Sequence, residues 1–363
     1  MTSASAILTI DLAAIRENYL TLRQLMAPGE VSGVVKADAY GLGICPVART
    51  LREAGCRLFF TATLEEALRL RRELPDPAVE IGVLNGLLAG EEDRFAEARL
   101  LPVLCDLGQI TLWGRFCGAR QRPLPAVIQV DTGLTRLGLP PAELRRFSET
   151  PFPGGVFPVK YVMSHLACAD DPADPRNRLQ LERFLEIRKL FPGVPASLAA
   201  SGGIFLGPDW RLDLARPGIS LYGGAPNRTG ENPMRPVVRL QARVLQVQEA
   251  AAGSNVGYGA SYRAAARTRI ATVAAGYADG YLRSLGGRSR AHFRGISLPL
   301  AGRVSMDMIT VDAGAAPDLK PGDMVDLLGP EHGIDALARD AGTIANEILT
   351  ALGSRYQRVY LEG

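Results

Sequence analysis

Between about residues 30 and 222 eight short apolar runs alternate with amphipathic stretches, and past residue 230 that rhythm stops. This change of period constrains the fold more than any other feature of the chain. The runs are VSGVVK (31–36), RLFFTA (57–62), VEIGVLN (79–85), ARLLPVLCD (98–106), PAVIQVD (125–131), VKYVMSH (159–165), PASLAAS (195–201) and RLDLARP (211–217). Rich in Val, Ile and Leu and with little polar alternation, they read as parallel strands buried on both faces. Segments such as LEEALRLRRE and RNRLQLERFLEIRKLF place apolar residues at helical spacing between them. Eightfold alternation of strand and helix predicts an α/β fold of the (β/α)8 TIM-barrel kind; an open doubly wound sheet is the alternative with a similar pattern.

After Gly224 the stretch APNRTGENPMRP is proline-rich and polar and reads as a linker. Beyond it, Val238, Leu240 and Ala242 alternate with Arg239, Gln241 and Arg243, the mark of a half-buried antiparallel strand. TRIATVAAG, ISLPLAGR, DMITVDAG and DMVDLLG follow, separated by glycine-rich turns. The expected organisation is a barrel domain over 1–228 and a mainly β domain over 229–363.

Composition removes several function classes. A net charge of +3 in 363 residues gives no electrostatic case for nucleic acid or an anionic membrane. No run approaches the roughly 20 apolar residues of a membrane span, and MTSASAILTIDLAAIREN lacks the basic start and long apolar core of a secretory signal. The five cysteines form no CxxC pair, which favours a reducing compartment and predicts a cytoplasmic location. With three scattered histidines, no metal site is expected.

In a barrel of this type the active site lies at the C-terminal ends of the strands. Those ends carry Lys36, Thr61, Asn85, Asp106, Asp131 with Arg136 just beyond, His165, Ser201 and Arg216. Any one of them is equally a polar residue meeting solvent; their convergence on one rim is the informative feature. The chain has only four lysines. Lys160 begins its strand, Lys189 sits on a helix and Lys320 precedes Pro321, so only Lys36 is placed for catalysis. A desolvated lysine loses its proton more readily, and the neutral amine can form a Schiff base. A lone strand-end lysine is also compatible with a structural or phosphate-binding role.

VVKADAYGLG (34–43), VDTGLTRLG (130–138), SHLACAD (164–170), ARPGISLYG (215–223), VGYGASY (256–262), GYADGYLR (276–283) and GRVSMD (302–307) occur in this order. Together they resemble the alanine racemase family, whose members use pyridoxal 5'-phosphate on a fold-type III barrel. The resemblance implies that Lys36 holds the cofactor, with Tyr40, Ser201 and the backbone amides of Gly218 and Ile219 on its phosphate. It places Arg216 at the pyridine nitrogen; because an arginine accepts no proton, that nitrogen would stay neutral. Racemisation needs a base on each face, and the resemblance assigns these to Lys36 and Tyr258. A chain from Tyr258 to His165 to Arg216 would make the phenol a usable base. Arg136 and the backbone of Met306 would meet the substrate carboxylate, Asp307 would position its neighbours, and Tyr277, Arg283, Arg303 and Asp170 would lie along the access corridor. The implied activity is interconversion of L- and D-alanine for cell-wall peptidoglycan by a homodimer with shared sites, Tyr258 reaching the barrel of the partner subunit. Rival readings are a broader amino-acid racemase acting on serine, and a decarboxylase or aldolase on the same scaffold.

Some positions depart from the family pattern. Gln129 stands where many members have a lysine, often carbamylated, supporting the arginine at 136. Ala200 and Ser305 replace a common asparagine and cysteine. Ser354 falls where many members have a tyrosine that narrows the entrance, with Tyr356 nearby. These departures bear on alanine specificity more than on racemisation.

Overall fold

The computed structural model describes residues 4–149 and 157–362; residues 1–3, 150–156 and 363 of the two expected units lie outside them. Seven parallel strands are hydrogen-bonded in chain order: Gly33–Val34, Leu58–Thr61, Glu80–Val83, Leu101–Leu104, Ala126–Gln129, Val159–Met163 and Ala196–Ser197. An eighth, Leu214–Ala215, pairs with Glu30–Val31 on one side. On the other side Asp213 N–H donates to Ala196 O at 3.1 Å and Arg216 N–H to Ala199 O at 2.9 Å, which closes the ring. Each expected run thus supplies a strand, shorter than the run itself. LFFT, LPVL and AVIQ are buried at every position, as strands covered on both faces require.

The helices between strands start where side chains satisfy the free amides of a first turn. Thr63 and Glu66 form a reciprocal capping box on helix Leu64–Glu73. Asp106 accepts from Gln109 N–H at 2.8 Å at the head of Leu107–Ala119.

The second sheet has eight strands and is built around the long strand Val238–Ala250, which pairs with Met324–Leu328 and Thr268–Val273. Its first half alternates between buried and more exposed positions, as its sequence predicts. Strand Ala6–Asp11 also belongs here, although it falls within the 1–228 unit expected to be barrel. It runs antiparallel to Val238–Ala250 and parallel to Gln357–Leu361, burying Ala6, Leu8 and Ile10 on one face. One continuous apolar core runs from the barrel into this sheet, with a small separate cluster at Ala250, Ala264, Ile270 and Ala301.

Candidate active site

Lys36 follows strand Gly33–Val34 and opens an unusual turn. Ala37, Asp38, Ala39 and Tyr40 all have φ between +53° and +56°, a left-handed conformation that costs an L-residue roughly 1–2 kcal/mol each. Local bonds offset part of that cost: Gly41 N–H donates to Ala37 O at 2.7 Å and Gly43 N–H to Asp38 O at 2.8 Å. The turn ends on Gly41, itself at φ +79°, where a Cβ would come within 2.7 Å of Leu349 O. Lys36 and Tyr40 consequently face one cavity of about 550 Å³ at the C-terminal rim of the barrel.

That cavity brings together Lys36, Tyr40, Asn85, Gln129, Arg136, His165, Ser201, Arg216, Gly218 and Ile219. Burial lowers the pKa of the Lys36 amine, and the neighbouring cations Arg136 and Arg216 lower it further against a smaller opposing effect of Glu66. Arg216 is only 5% exposed and is held by Ser197 Oγ and by Ser164 O at 2.6 Å. Burial brings its pKa down to about 10. Its other contact is His165 Nδ1 at 3.5 Å. Since a guanidinium only donates, Nδ1 accepts and the neutral ring carries its proton on Nε2. Burial, reinforced by Arg216, Arg136 and Lys36, holds the imidazole neutral, with a pKa of about 3. Arg216 makes no salt bridge with Asp213, which accepts from Arg188 at 2.8 Å and from Ala196 N–H at 2.8 Å.

At the opposite end, Ser201 Oγ accepts from Gly218 N–H at 3.1 Å and Ser220 N–H at 3.2 Å. The Tyr40 hydroxyl stands so close that a Cβ on Gly218 would lie 2.1 Å from it. Two hydroxyls and neighbouring amides around glycine backbone form a cradle suited to an anion such as phosphate. With an amine at one end, a buried cation at the side and this cradle at the other end, the residues present fit pyridoxal phosphate. The cationic side accepts no proton, which is the arrangement for a neutral ring nitrogen.

Arg136 projects from the loop after strand Ala126–Gln129. Asp131 Oδ1 fixes that loop by accepting from the amides of Gly133, Leu134 and Thr135 at 2.9–3.1 Å. Gln129 donates to Leu137 O at 3.0 Å and so steadies the loop rather than the Arg136 head. Of the strand-end residues singled out in the sequence, Thr61, Asp106 and Asp131 serve local backbone and stay off the cavity wall. Asn346 and Asp170 line it; Asn346 comes from helix Ala345–Ala351, and no pattern in the sequence pointed to it. Ser164 and Ser197, which hold Arg216, were also missed, though a serine in an otherwise apolar buried strand is a usable signal.

Tyr258, Met306 and Asp307 do not line this cavity. Tyr258 tips the hairpin formed by Asn255–Val256 and Tyr262–Arg263, and is 72% exposed. Met306 is 53% exposed, and Asp307 is exposed and paired with Arg355 at 2.8 Å. Ser354 is exposed, whereas Tyr356 is buried.

The profiles described as "Alanine racemase, N-terminal domain" and "Alanine racemase, C-terminal domain" match residues 10–226 and 237–360. The chain belongs to the alanine racemase family. A relative from Agrobacterium fabrum named "Alanine racemase, catabolic" is 50% identical over 99% of this chain and 93% of its own length. An alanine racemase from Rhodospirillum rubrum is 48% identical over 98% of this chain and 96% of its own. The crystal structure of the Bartonella henselae alanine racemase, which carries covalently bound pyridoxal phosphate, superposes with a TM-score of 0.95 at 43% identity, covering 99% of this chain and all of that one. The barrel with its mainly β second sheet is thus the family's architecture.

Proposed function

We propose that this chain is a pyridoxal-phosphate-dependent alanine racemase working with two bases, Lys36 and Tyr258 of the partner subunit. The observation that carries the reading is the incomplete cavity. It holds an amine whose pKa is lowered by burial and a neutral histidine backed by a buried arginine, yet none of the residues expected on the second face, while Tyr258 stands exposed on a hairpin. When bound, the cofactor withdraws electrons from the α-carbon of the amino acid. Lys36 would hold it covalently, Tyr40, Ser201 and the amides of Gly218 and Ile219 would hold the phosphate, and Arg216 would meet the ring nitrogen. Arg136 and Met306 N–H orient the substrate carboxylate, with Asp307 and Gln129 in support. Lys36 removes the α-proton of the D isomer and Tyr258 that of the L isomer; return of a proton on the other face inverts the centre. His165 Nε2–H supplies a hydrogen-bond donor for the tyrosine oxygen.

This reading makes the protein a homodimer with shared sites and divides the chain at 228/229, strand Ala6–Asp11 crossing to the second unit. No helix among the described residues is long and apolar enough to cross a membrane, and the cysteines are all free, in keeping with a cytoplasmic enzyme. Supplying D-alanine for peptidoglycan is the role we assign. A relative bears the name catabolic, and because racemisation runs both ways the same site serves either flux. A second reading, turnover of serine beside alanine, is favoured by the exposed Ser354.

The test is a chirality-resolved assay over paired L- and D-amino acids with the wild type and Lys36→Ala. Alanine should be interconverted by the wild type, and Lys36→Ala should lose both activity and the borohydride-fixable cofactor adduct. An adduct on another lysine would overturn the assignment.

A further inference from the structure

The cavity accounts for the Lys36 amine but not for what holds the backbone behind it. None of the four left-handed residues after Lys36 is a glycine, so the turn needs support from outside itself. Two side chains of the adjoining helix, Leu64–Glu73, reach it. Glu66 Oε1 accepts from the N–H of Ala37, the residue next to Lys36, at 2.6 Å. The other oxygen, Oε2, accepts from Ala62 N–H at 2.9 Å and Thr63 N–H at 3.4 Å. One turn further along, Arg69 Nη1 lies 3.0 Å from Asp38 Oδ1, the oxygen that also accepts from Ile44 N–H at 2.9 Å. One carboxylate thus ties the end of strand Leu58–Thr61 to the first left-handed residue after the neighbouring strand.

We propose that Glu66 is a positioning residue for Lys36, fixing through Ala37 N–H the backbone from which the amine enters the cavity. Its capping-box role explains only Oε2; a helix cap has no use for the bond to Ala37, which lies 29 positions away in the chain. The negative charge is also near enough to Lys36 to counter part of the effect of burial and of the two arginines. The inference rests on Lys36 being the cofactor lysine.

The discriminating comparison is Glu66→Ala against Thr63→Ala. Thr63 Oγ1 accepts from Glu66 N–H at 3.3 Å, so its loss uncaps the same helix while leaving the Glu66–Ala37 bond in place. The full-length protein is stripped of cofactor with hydroxylamine and remixed with pyridoxal phosphate. The rate of condensation, in which amine and aldehyde join with loss of water, is followed by near-visible absorption. Borohydride reduction and peptide mapping then locate the adduct. Glu66→Ala should slow capture about tenfold or more, as misplacement of a reacting group does, whereas Thr63→Ala should stay within about twofold of wild type. Glu66→Gln can satisfy Ala37 or the cap but not both, and should fall between. Equal rates in Glu66→Ala and Thr63→Ala, or a wild-type rate in Glu66→Ala, would overturn the proposal. Should Glu66→Ala fail to fold, Glu66→Gln carries the comparison: slower than Thr63→Ala supports it, parity refutes it. A wild type that captures no cofactor at Lys36 would instead defeat the functional reading beneath.

Discussion

Replacing Gly218 with alanine sets a methyl group against the Tyr40 hydroxyl, and the surroundings allow the cost to be followed atom by atom. The added Cβ would lie 2.1 Å from Tyr40 Oη, 2.9 Å from Cζ and 3.4 Å from Cε2. Gly218 sits at φ −119°, outside the left-handed region, and the clash with Tyr40 is the steric effect followed here. Tyr40 has little room to retreat: it is buried, its ring centroid is 4.8 Å from that of Tyr222, and the Tyr222 hydroxyl is anchored on Val34 O at 2.9 Å. The hydroxyl must therefore leave its place in the cradle. Losing one hydrogen bond to a charged phosphate is worth about 1.5–3 kcal/mol, a roughly 10- to 150-fold weaker dissociation constant for pyridoxal phosphate. Overpacking should separately destabilise the fold by about 1–3 kcal/mol. Absorbance titration of the cofactor-stripped protein reads the first effect, and thermal unfolding of the same sample the second. Adding Tyr40→Phe removes Oη but leaves Cζ at 2.9 Å, so the double variant should regain much of the stability and none of the affinity. Cofactor binding within about twofold of wild type in Gly218→Ala, or affinity restored by Tyr40→Phe, would refute the argument.

Three further outcomes are expected. Lys36→Ala and Tyr258→Phe homodimers should each be inactive as racemases, and mixing them under subunit exchange should restore activity, because one of the two sites in each heterodimer then pairs an intact Lys36 with an intact Tyr258; heterodimers without activity would mean the tyrosine does not act across subunits. His165 has its pKa lowered from 6.5 to about 3, so the unfolded chain takes up that proton first and stability should fall as pH drops from about 6.5 towards 3, by up to ~1.4 kcal/mol per pH unit. His165→Gln should flatten this slope in urea unfolding at pH 7 and 4.5, and an unchanged slope would contradict it. On the proposed function the exposed Ser354 stands in place of the family's entrance tyrosine, and a pocket discriminates one small group by only ~1–3 kcal/mol, so serine should be racemised at a measurable rate and Ser354→Tyr should suppress it; undetectable serine turnover beside robust alanine turnover would count against this.

The barrel strands were legible because residues such as Leu58–Thr61 and Ala126–Gln129 are buried on both faces, which leaves an uninterrupted apolar run in the sequence. Strand Ala6–Asp11 was assigned with the barrel because its own pattern says only that one face is covered; its partners lie more than 220 positions away. At the rim, position at a strand end picked out Lys36, His165, Ser201 and Arg216 together with Thr61, Asp106 and Asp131. Only the geometry separates them, since a carboxylate that caps a helix or pins a loop looks in sequence like one that faces a ligand. The left-handed turn was hidden for another reason. Glycine is the usual sign of positive φ, and none stands at 37–40; the turn is held by bonds that Glu66 and Arg69 bring from the adjoining helix, which are tertiary facts.

Strand Ala6–Asp11 also dictates an order of events during synthesis. It leaves the ribosome well before its partners, flanked as it is by Val238–Ala250 on one side and by Gln357–Leu361 on the other. The barrel can close while translation continues, because its ladders join successive segments, but this strand must wait with an unpaired edge until Gln357–Leu361 has emerged. A fragment cut at the linker would inherit the same problem permanently: the first half would keep a strand with no sheet, and the second would have its edge strand Gln357–Leu361 cut off from the rest of the sheet. The two halves are therefore separable in sequence but not as independent folding units, and trimming the first eleven residues should unsettle the distant sheet before it disturbs the cavity.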